Sequence, residues 1–361
     1  MTFAAYVYGS GSFAARVASD LIAGGDFLGF IDHMNVGLEI QVGPSTWIVE
    51  SSKELSIFPG KCVLGLCNLR GDLDQIALDL KSEAPELELY TPVEFYKTPV
   101  FSETRISHYW LDNDPKLFEK NRIAINKFRD LLHSEESRNL YNAILSYREI
   151  GSLSSLPKPL PLETQYLALD LGTPPIRMRA IDAGACKGEN LKPFIDAGII
   201  FESYYAFEPD ELNLLALKQT LIELRLKSVS VVSSAIWSEV KELNFSNLGD
   251  GSSGLSEGSA TKVQAVDIDS FLMERGEVNF IKMDIEGSEK EALLGARKTL
   301  VRSLPHLAIS VYHKPCDLWE LGLLIESMVP NRYNYHLRMY GHQTFDTILY
   351  TIPKYLDQTP L

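Results

Sequence analysis

Residues 180–209, AIDAGACKGENLKPFIDAGIIFESYYAFEP, constrain what this chain folds into more than any other stretch. Ala180, Ile181 and Asp182 end a short apolar strand, and Gly184 and Gly188 bracket a tight turn. Residues 190–198 suit a helix whose free N–H groups face that turn. Residues 203–207 then make a second strand that delivers Glu208 to its carboxyl end. Two strands of one sheet joined through a helix run parallel, so this half of the chain is committed to an α/β architecture. Glycine is needed where backbone closes on a ligand with no room for a Cβ. In an open parallel sheet, a carboxylate at the end of the second strand is where the hydroxyls of a ribose are chelated.

The arrangement fits a nucleoside-containing cofactor, and the glycine spacing separates two of them. A nicotinamide dinucleotide calls for G-x-G-x-x-G, whereas this loop is D-x-G-x-x-x-G, with Asp182 ahead of the first glycine. That pattern resembles motif I of the class I methyltransferases, which bind S-adenosylmethionine. Glu208 stands 20 positions beyond Gly188, as expected of a ribose ligand. Cys186 has no base adjacent to it in the loop, so it is not expected to be a nucleophile.

A length of 361 residues suits two domains with sizeable cores. The net charge of −14 argues against nucleic acid as partner, because phosphate binding rests on basic clusters. With 45% hydrophobic and 23% charged residues, the composition is that of a soluble globular protein. No apolar run approaches the roughly 18 to 20 residues that span a bilayer. The opening MTFAAYVYGSGSF lacks a basic n-region and is not expected to be a signal peptide. Cys62, Cys67, Cys186 and Cys316 show neither C-x-x-C nor zinc spacing, so reduced thiols in a cytoplasmic protein are expected.

Residues 1–98 read as a small Rossmann-like domain. A strand at 3–8 leads through Gly9 and Gly11 into a helix ending near Ala23, and a strand at 27–31 ends in Asp32, 23 residues after Gly9. This is the dinucleotide fingerprint in outline, with Ala14 in the third glycine position. Further strands are expected at 61–68 and 87–90, and a helix at 72–83. The stretch YVYGSGSFAARVASDL…FLGFID resembles the short nucleotide-binding domain that precedes the acyltransferase part of some bacterial sugar acetyltransferases. That resemblance covers the first 35 or so residues and implies a nucleotide-linked sugar at a second nucleotide site of Gly9, Gly11 and Asp32. A domain that packs without a ligand is the alternative.

Residues 99–160 read as a helical linker, with Ile123, Phe128, Leu131, Leu132, Leu140, Ile144 and Leu145 at helical intervals. The loop GSLSSLPKPLP at 151–161 approaches a second domain over 161–361. There, helices are expected at 212–226, 288–300 and 317–328. Strands are expected at 229–235, with Ala235 against an adenine ring, at 278–283 ahead of Asp284, and at 306–311 ahead of Tyr312 and His313. The Gly- and Ser-rich stretch 244–259 reads as a hairpin or loop, and 333–340 with 347–352 as a closing antiparallel pair. The fold class is therefore α/β: a class I methyltransferase Rossmann-like sheet of seven strands with the last antiparallel, a smaller N-terminal Rossmann-like domain and a helical linker.

Three phrases resemble the FkbM family of methyltransferases: DAGACKGE at 182–189, IKMDIEGSEKEALLGA at 281–296 and ISVYHKPCDLWEL at 309–321. The resemblance runs over residues 131–353 and departs at Cys186 and Lys187, which replace more usual small or amide residues. It implies O-methylation of a hydroxyl on a sugar, glycan or secondary metabolite, with S-adenosylmethionine as cofactor. It also implies that Asp182, Gly184 and Gly188, with Ala185 and Glu189 beside them, shape the methionine end of the cofactor. By the same carry-over, Glu208 holds the ribose, Asp284 lines the methyl-transfer centre and Tyr166 closes over the cofactor.

An alcohol is a poor nucleophile and gains from a base. His313 is the first candidate, with an ordinary pKa of about 6.5, and Asp284 and Glu286 follow. Those two acids also suit capping of the strand-to-helix turn or, with Asp267 or Asp269, a magnesium site; no metal is assigned. His336, Arg338 and His342 are candidates for binding an acceptor phosphate or sugar. The partners expected are a small-molecule or glycan acceptor, with a nucleotide-linked sugar and a homo-oligomer as further candidates. The rival readings are a non-catalytic nucleotide or nucleotide-sugar binding module, and an oxidoreductase using the Gly9 to Asp32 site. The second lacks an evident substrate domain in residues 100–150.

Overall fold

The computed structural model describes residues 5–25, 27–53, 63–67, 71–85, 87–98, 101, 107–151, 156–246, 254–255 and 261–354. The chain divides into two compact units. One comprises Met1–Lys120, Leu140–Pro159 and Gly341–Phe345; the other Asn121–Asn139, Leu160–Tyr340 and Asp346–Leu361. The helical stretch read as a linker over 99–160 is thus shared out between the two. Among the described residues no helix is long and apolar enough to cross a membrane.

The first unit is built on β1 (Ala5–Tyr8), β2 (Phe27–Ile31), β3 (Glu39–Val42), β4 (Ser45–Glu50), β5 (Val63–Leu66) and β6 (Glu88–Tyr90), ordered β3-β4-β2-β1-β5-β6. Every neighbouring pair is parallel except β3 with β4. That hairpin is an addition to the expected strands, although Gly43 and Pro44 between EIQV and STWIVE carry a turn signal. A left-handed Gly25 ends the helix Ser12–Gly24, and Asp72 caps the helix Leu73–Glu83 by accepting from the Gln75 N–H. Tyr6, Ile31, Leu66, Leu73, Ile76 and Leu80 meet in its core. The two-residue strands β7 (Ser107–His108) and β8 (Leu111–Asp112) pair antiparallel.

The second unit holds β9 (Arg177–Ala183), β10 (Ile200–Phe207), β11 (Val229–Val232), β12 (Ala235–Ile236), β13 (Lys241–Ser246), β14 (Gly254–Leu255), β15 (Lys262–Val266), β16 (Phe280–Met283), β17 (His306–Ser310), β18 (Tyr333–Met339) and β19 (Thr347–Pro353). Seven of them form one sheet in the order β11-β10-β9-β16-β17-β19-β18. β19 runs antiparallel to both neighbours and the other pairs are parallel, which is the class I methyltransferase sheet. The strands β16, β17, β18 and β19 are buried at every residue, as a sheet covered on both faces requires. From β9 the chain steps to β10 on one side and later to β16 on the other. Strand order reverses there, and the carboxyl ends of β9, β10 and β16 open a crevice.

Three departures from the sequence reading have local causes. The strand expected at 229–235 breaks after Val232, because Ser234 turns back to donate to the Val232 carbonyl and Ala235 joins a small sheet of β12, β15, β13 and β14. The helix expected at 288–300 is two, Glu289–Leu294 and Arg297–Ser303. A Cβ on Gly295 would lie 2.2 Å from the Trp237 carbonyl, so the chain touches backbone where the first helix ends. The helix expected at 190–198 is shorter, Leu191–Asp196. β13 and β14 pair antiparallel, as a hairpin at 244–259 requires; residues 247–253 and 256–260 lie outside the described residues. So do Cys62 and residues 152–155 of the Ser- and Pro-rich loop.

Candidate active site

The crevice collects residues from four directions. Gly184 and Cys186 come from the loop after β9, Glu208 and Pro209 from the end of β10, Ala235 and Ile236 from β12, and Asp284, Ile285 and Glu286 from the end of β16. Phe207, Asn213, Ser234, Phe245, Gly254 and Ser288 complete its described lining. Gly184 adopts φ +79°, and a Cβ there would stand 1.9 Å from the Asp284 carbonyl oxygen. No other residue lets the loop close on the end of β16.

Glu208 is fixed by backbone: one carboxylate oxygen accepts from the Cys186 N–H at 2.8 Å and the other from the Asp210 N–H at 2.8 Å. Burial raises its pKa, and those two donors oppose the rise. Cys186 has φ +47°, and burial followed by the charges of Glu189 and Glu208 pushes its thiol up to about 12. A thiol so placed does not ionise near neutral pH, in keeping with its dismissal as a nucleophile.

Asp284 is the most heavily bonded acid of the site. It accepts from the Tyr166 hydroxyl at 2.8 Å and the Ser310 hydroxyl at 2.8 Å, with the Tyr312 hydroxyl at 3.5 Å. Burial alone raises its pKa, but the charges of His313 and Lys282 and the hydroxyl donors hold it below the usual value. Tyr166 is buried, with φ +66°, and reaches the crevice through Asp284 rather than spanning it as a cover.

His313, the first candidate for the base, sits among three carboxylates. Its Nδ1 lies 2.7 Å from Glu289, and its Nε2 lies 3.3 Å from Asp284 and 3.5 Å from Glu286. Burial works against the charged ring, yet Glu289 and Glu286 prevail and lift its pKa well above 6.5. A ring whose surroundings favour the charged form is poorly disposed to take an acceptor's proton.

The other expected residues sort plainly. Asp182 lies beneath the crevice, 1% exposed, with Lys282 Nζ at 2.9 Å and the Tyr204 hydroxyl donating at 2.7 Å. Ala185 is buried and donates to the Phe207 carbonyl, and Gly188 turns the loop at φ +81° against Leu191 and Leu217. Glu189 faces outward and accepts from the Lys187 N–H. His336 and Arg338 lie on β18, separated from β16 by β17 and β19. Arg338 is committed to Asp170 at 2.7 Å and Glu136 at 3.0 Å, and the His336 ring packs on His133. His342 belongs to the other unit and is not among the residues that line this crevice.

Of the acids considered for magnesium, Asp284 and Glu286 line the crevice, whereas Asp267 and Asp269 are helix caps. Asp267 accepts from the Ser270 N–H, and Asp269 accepts from the Lys298 and Thr299 N–H groups and the Thr299 hydroxyl. No group of three or more His, Cys, Asp or Glu among the described residues is placed to hold a metal ion. Sequence reasoning missed Lys282, Ser310, Asn213 and Glu289. A lysine inside the apolar FIKM strand was the one signal that pointed to the first of them.

In the first unit, Gly9 has φ +121°, but Gly11 is extended at φ −85° with open space around it. Asp32 accepts from the Ser10 hydroxyl at 2.9 Å, the Met34 N–H at 2.8 Å and the Asn35 amide at 3.4 Å. Its carboxylate is satisfied by Ser10 in the loop after β1 and by its own turn.

The profile of the methyltransferase FkbM domain matches residues 182–341. No curated protein matches the chain. Among solved structures, methyltransferase FkbM from Methylobacillus flagellatus KT is similar over 97% of this chain and 90% of that one, at 22% identity and a TM-score of 0.76. That likeness is one of fold and takes in both units. An rRNA methylase from Streptococcus thermophilus is similar over 55% of this chain and 96% of its own, at 16% identity and a TM-score of 0.34, too weak a likeness to argue from. Residues 182–341 match a methyltransferase FkbM domain and lie on a class I methyltransferase sheet, and the chain is a methyltransferase.

Proposed function

We propose that the chain is an S-adenosylmethionine-dependent O-methyltransferase acting on a hydroxyl of a sugar, glycan or secondary metabolite, with Glu286 as the proton acceptor. The observation that carries the cofactor is the charge of the crevice. Its described lining holds Glu208, Asp284 and Glu286 and no Lys or Arg. Such a lining suits a cationic sulfonium without phosphates and opposes the pyrophosphate of a dinucleotide. Glu208 would hold the ribose hydroxyls, Ala235 and Ile236 would lie against the base, and Gly184 would leave room at the methionine end. When bound, the cofactor supplies an already activated methyl group.

The chain's own residues then align the acceptor, exclude water and take its proton. Glu286 suits the last task better than Asp284. The Asp284 carboxylate is held by two hydroxyl donors at 2.8 Å, whereas Glu286 reaches the crevice from a left-handed turn at φ +51° with His313 Nε2 3.5 Å away. The oxygen acceptor and its sugar or metabolite setting rest on the family resemblance, and a cytoplasmic location belongs to the same reading.

Labelled S-adenosylmethionine offered with a panel of sugars, glycans and hydroxylated metabolites tests the reaction. Once an acceptor is found, Glu286→Gln should lower kcat by about 10²- to 10⁴-fold with S-adenosylhomocysteine binding retained. Full turnover by that variant would remove Glu286 from the role. Failure of the wild-type protein to bind S-adenosylhomocysteine in calorimetry would remove the cofactor.

A further inference from the structure

We infer that Lys282 is a positioning residue for the cofactor, pinning the glycine loop from below through the carbonyl of Gly184. The inference rests on the cofactor reading above. Lys282 sits within β16, its side chain 2% exposed and outside the crevice lining. Its Nζ donates to the Gly184 carbonyl at 2.6 Å, lies 2.9 Å from Asp182, and stands 5.1 Å from the centre of the Tyr166 ring. Each partner leads to the crevice. Gly184 lines it and begins the loop whose Cys186 N–H holds Glu208. Tyr166 donates to Asp284 on the opposite wall.

A buried lysine is costly, and an ion pair alone is a weak reason to keep one, since two apolar residues often serve stability as well. The bond to a loop carbonyl is what an apolar pair cannot replace. Burial disfavours the charged ammonium, but Asp182 and Asp284 prevail, so it stays protonated and all three of its donors remain available.

The test separates the loop contact from simple charge compensation. In Asp182→Asn/Lys282→Met both charges go together, so thermal stability should stay near wild type. S-adenosylhomocysteine affinity should nevertheless fall about tenfold, the worth of one charge-assisted hydrogen bond. Affinity for adenosine, which lacks the methionine end beside Gly184 and meets the loop only through Glu208, should fall less. Asp182→Asn/Lys282→Gln keeps a donor on this side chain and should regain part of the loss, which also guards against a misfolded first variant. Wild-type affinity in the Met variant, an equal loss for both ligands, or equal affinities of the two variants would overturn the inference. Absence of binding by the wild-type protein would instead overturn the cofactor reading, and this inference with it.

Discussion

His313 lies in the interior with Glu289 at 2.7 Å and two further carboxylates within 3.5 Å, surroundings that favour the charged ring. Its folded pKa is raised above the unfolded value of about 6.5. The stabilisation is therefore complete below that unfolded value and is lost as pH rises through the folded one. The stability gap between wild type and His313→Gln, followed by urea denaturation across pH 5 to 10, should be widest at the acid end and close toward the alkaline end. A gap that widens with pH would mean that the ring is neutral. Removing the ring in His313→Ala leaves Glu289 buried and uncompensated, at about 3–5 kcal/mol. Gly184 is the other residue on which the site turns. Gly184→Ala meets both its left-handed φ and the Asp284 carbonyl, and should cost about 2–5 kcal/mol in thermal denaturation, with S-adenosylhomocysteine binding lost.

Acids at the ends of elements were hard to assign from sequence because a cap and a ligand ask for the same side chain. Asp284 and Asp269 are only 15 positions apart, and both precede or start a helix, yet one faces the crevice and the other fastens Arg297–Ser303 through two backbone N–H groups and a hydroxyl. Asp269→Ala should lower stability by about 1–2 kcal/mol, as loss of a helix cap does. Turnover per folded molecule should stay at the wild-type value, and magnesium should have no effect on either protein. The break between Glu289–Leu294 and Arg297–Ser303 belongs to this scale as well, since helical periodicity continues across it and only the Trp237 carbonyl against Gly295 shows why the chain turns.

At the scale of the molecule, the methyltransferase unit is not a continuous stretch of sequence. It takes in Asn121–Asn139, whose helix Arg122–Leu131 sets Phe128 against Gly322, where a Cβ would stand 2.0 Å from the ring. The His133 N–H donates to the Tyr335 carbonyl in the same unit. A fragment of residues 161–361, the domain read from sequence, should therefore melt well below the full chain and expose to dye the apolar surface that Phe128 covers at Gly322. A fragment beginning at residue 121 should retain more of the native melting temperature, and equal behaviour of the two would refute the role of Phe128. Local chemistry made much of this protein legible: left-handed Gly184 after Asp182, Glu208 at a strand end, the helix Asp317–Met328 and the closing antiparallel pair all follow from short-range pattern, turn chemistry and periodicity. Which hydroxyls hold Asp284, that three carboxylates surround His313, and that Lys282 reaches the Gly184 carbonyl were decided by tertiary structure alone. These depend on burial and on partners up to 118 positions apart in sequence, and spacing along the chain does not encode either quantity.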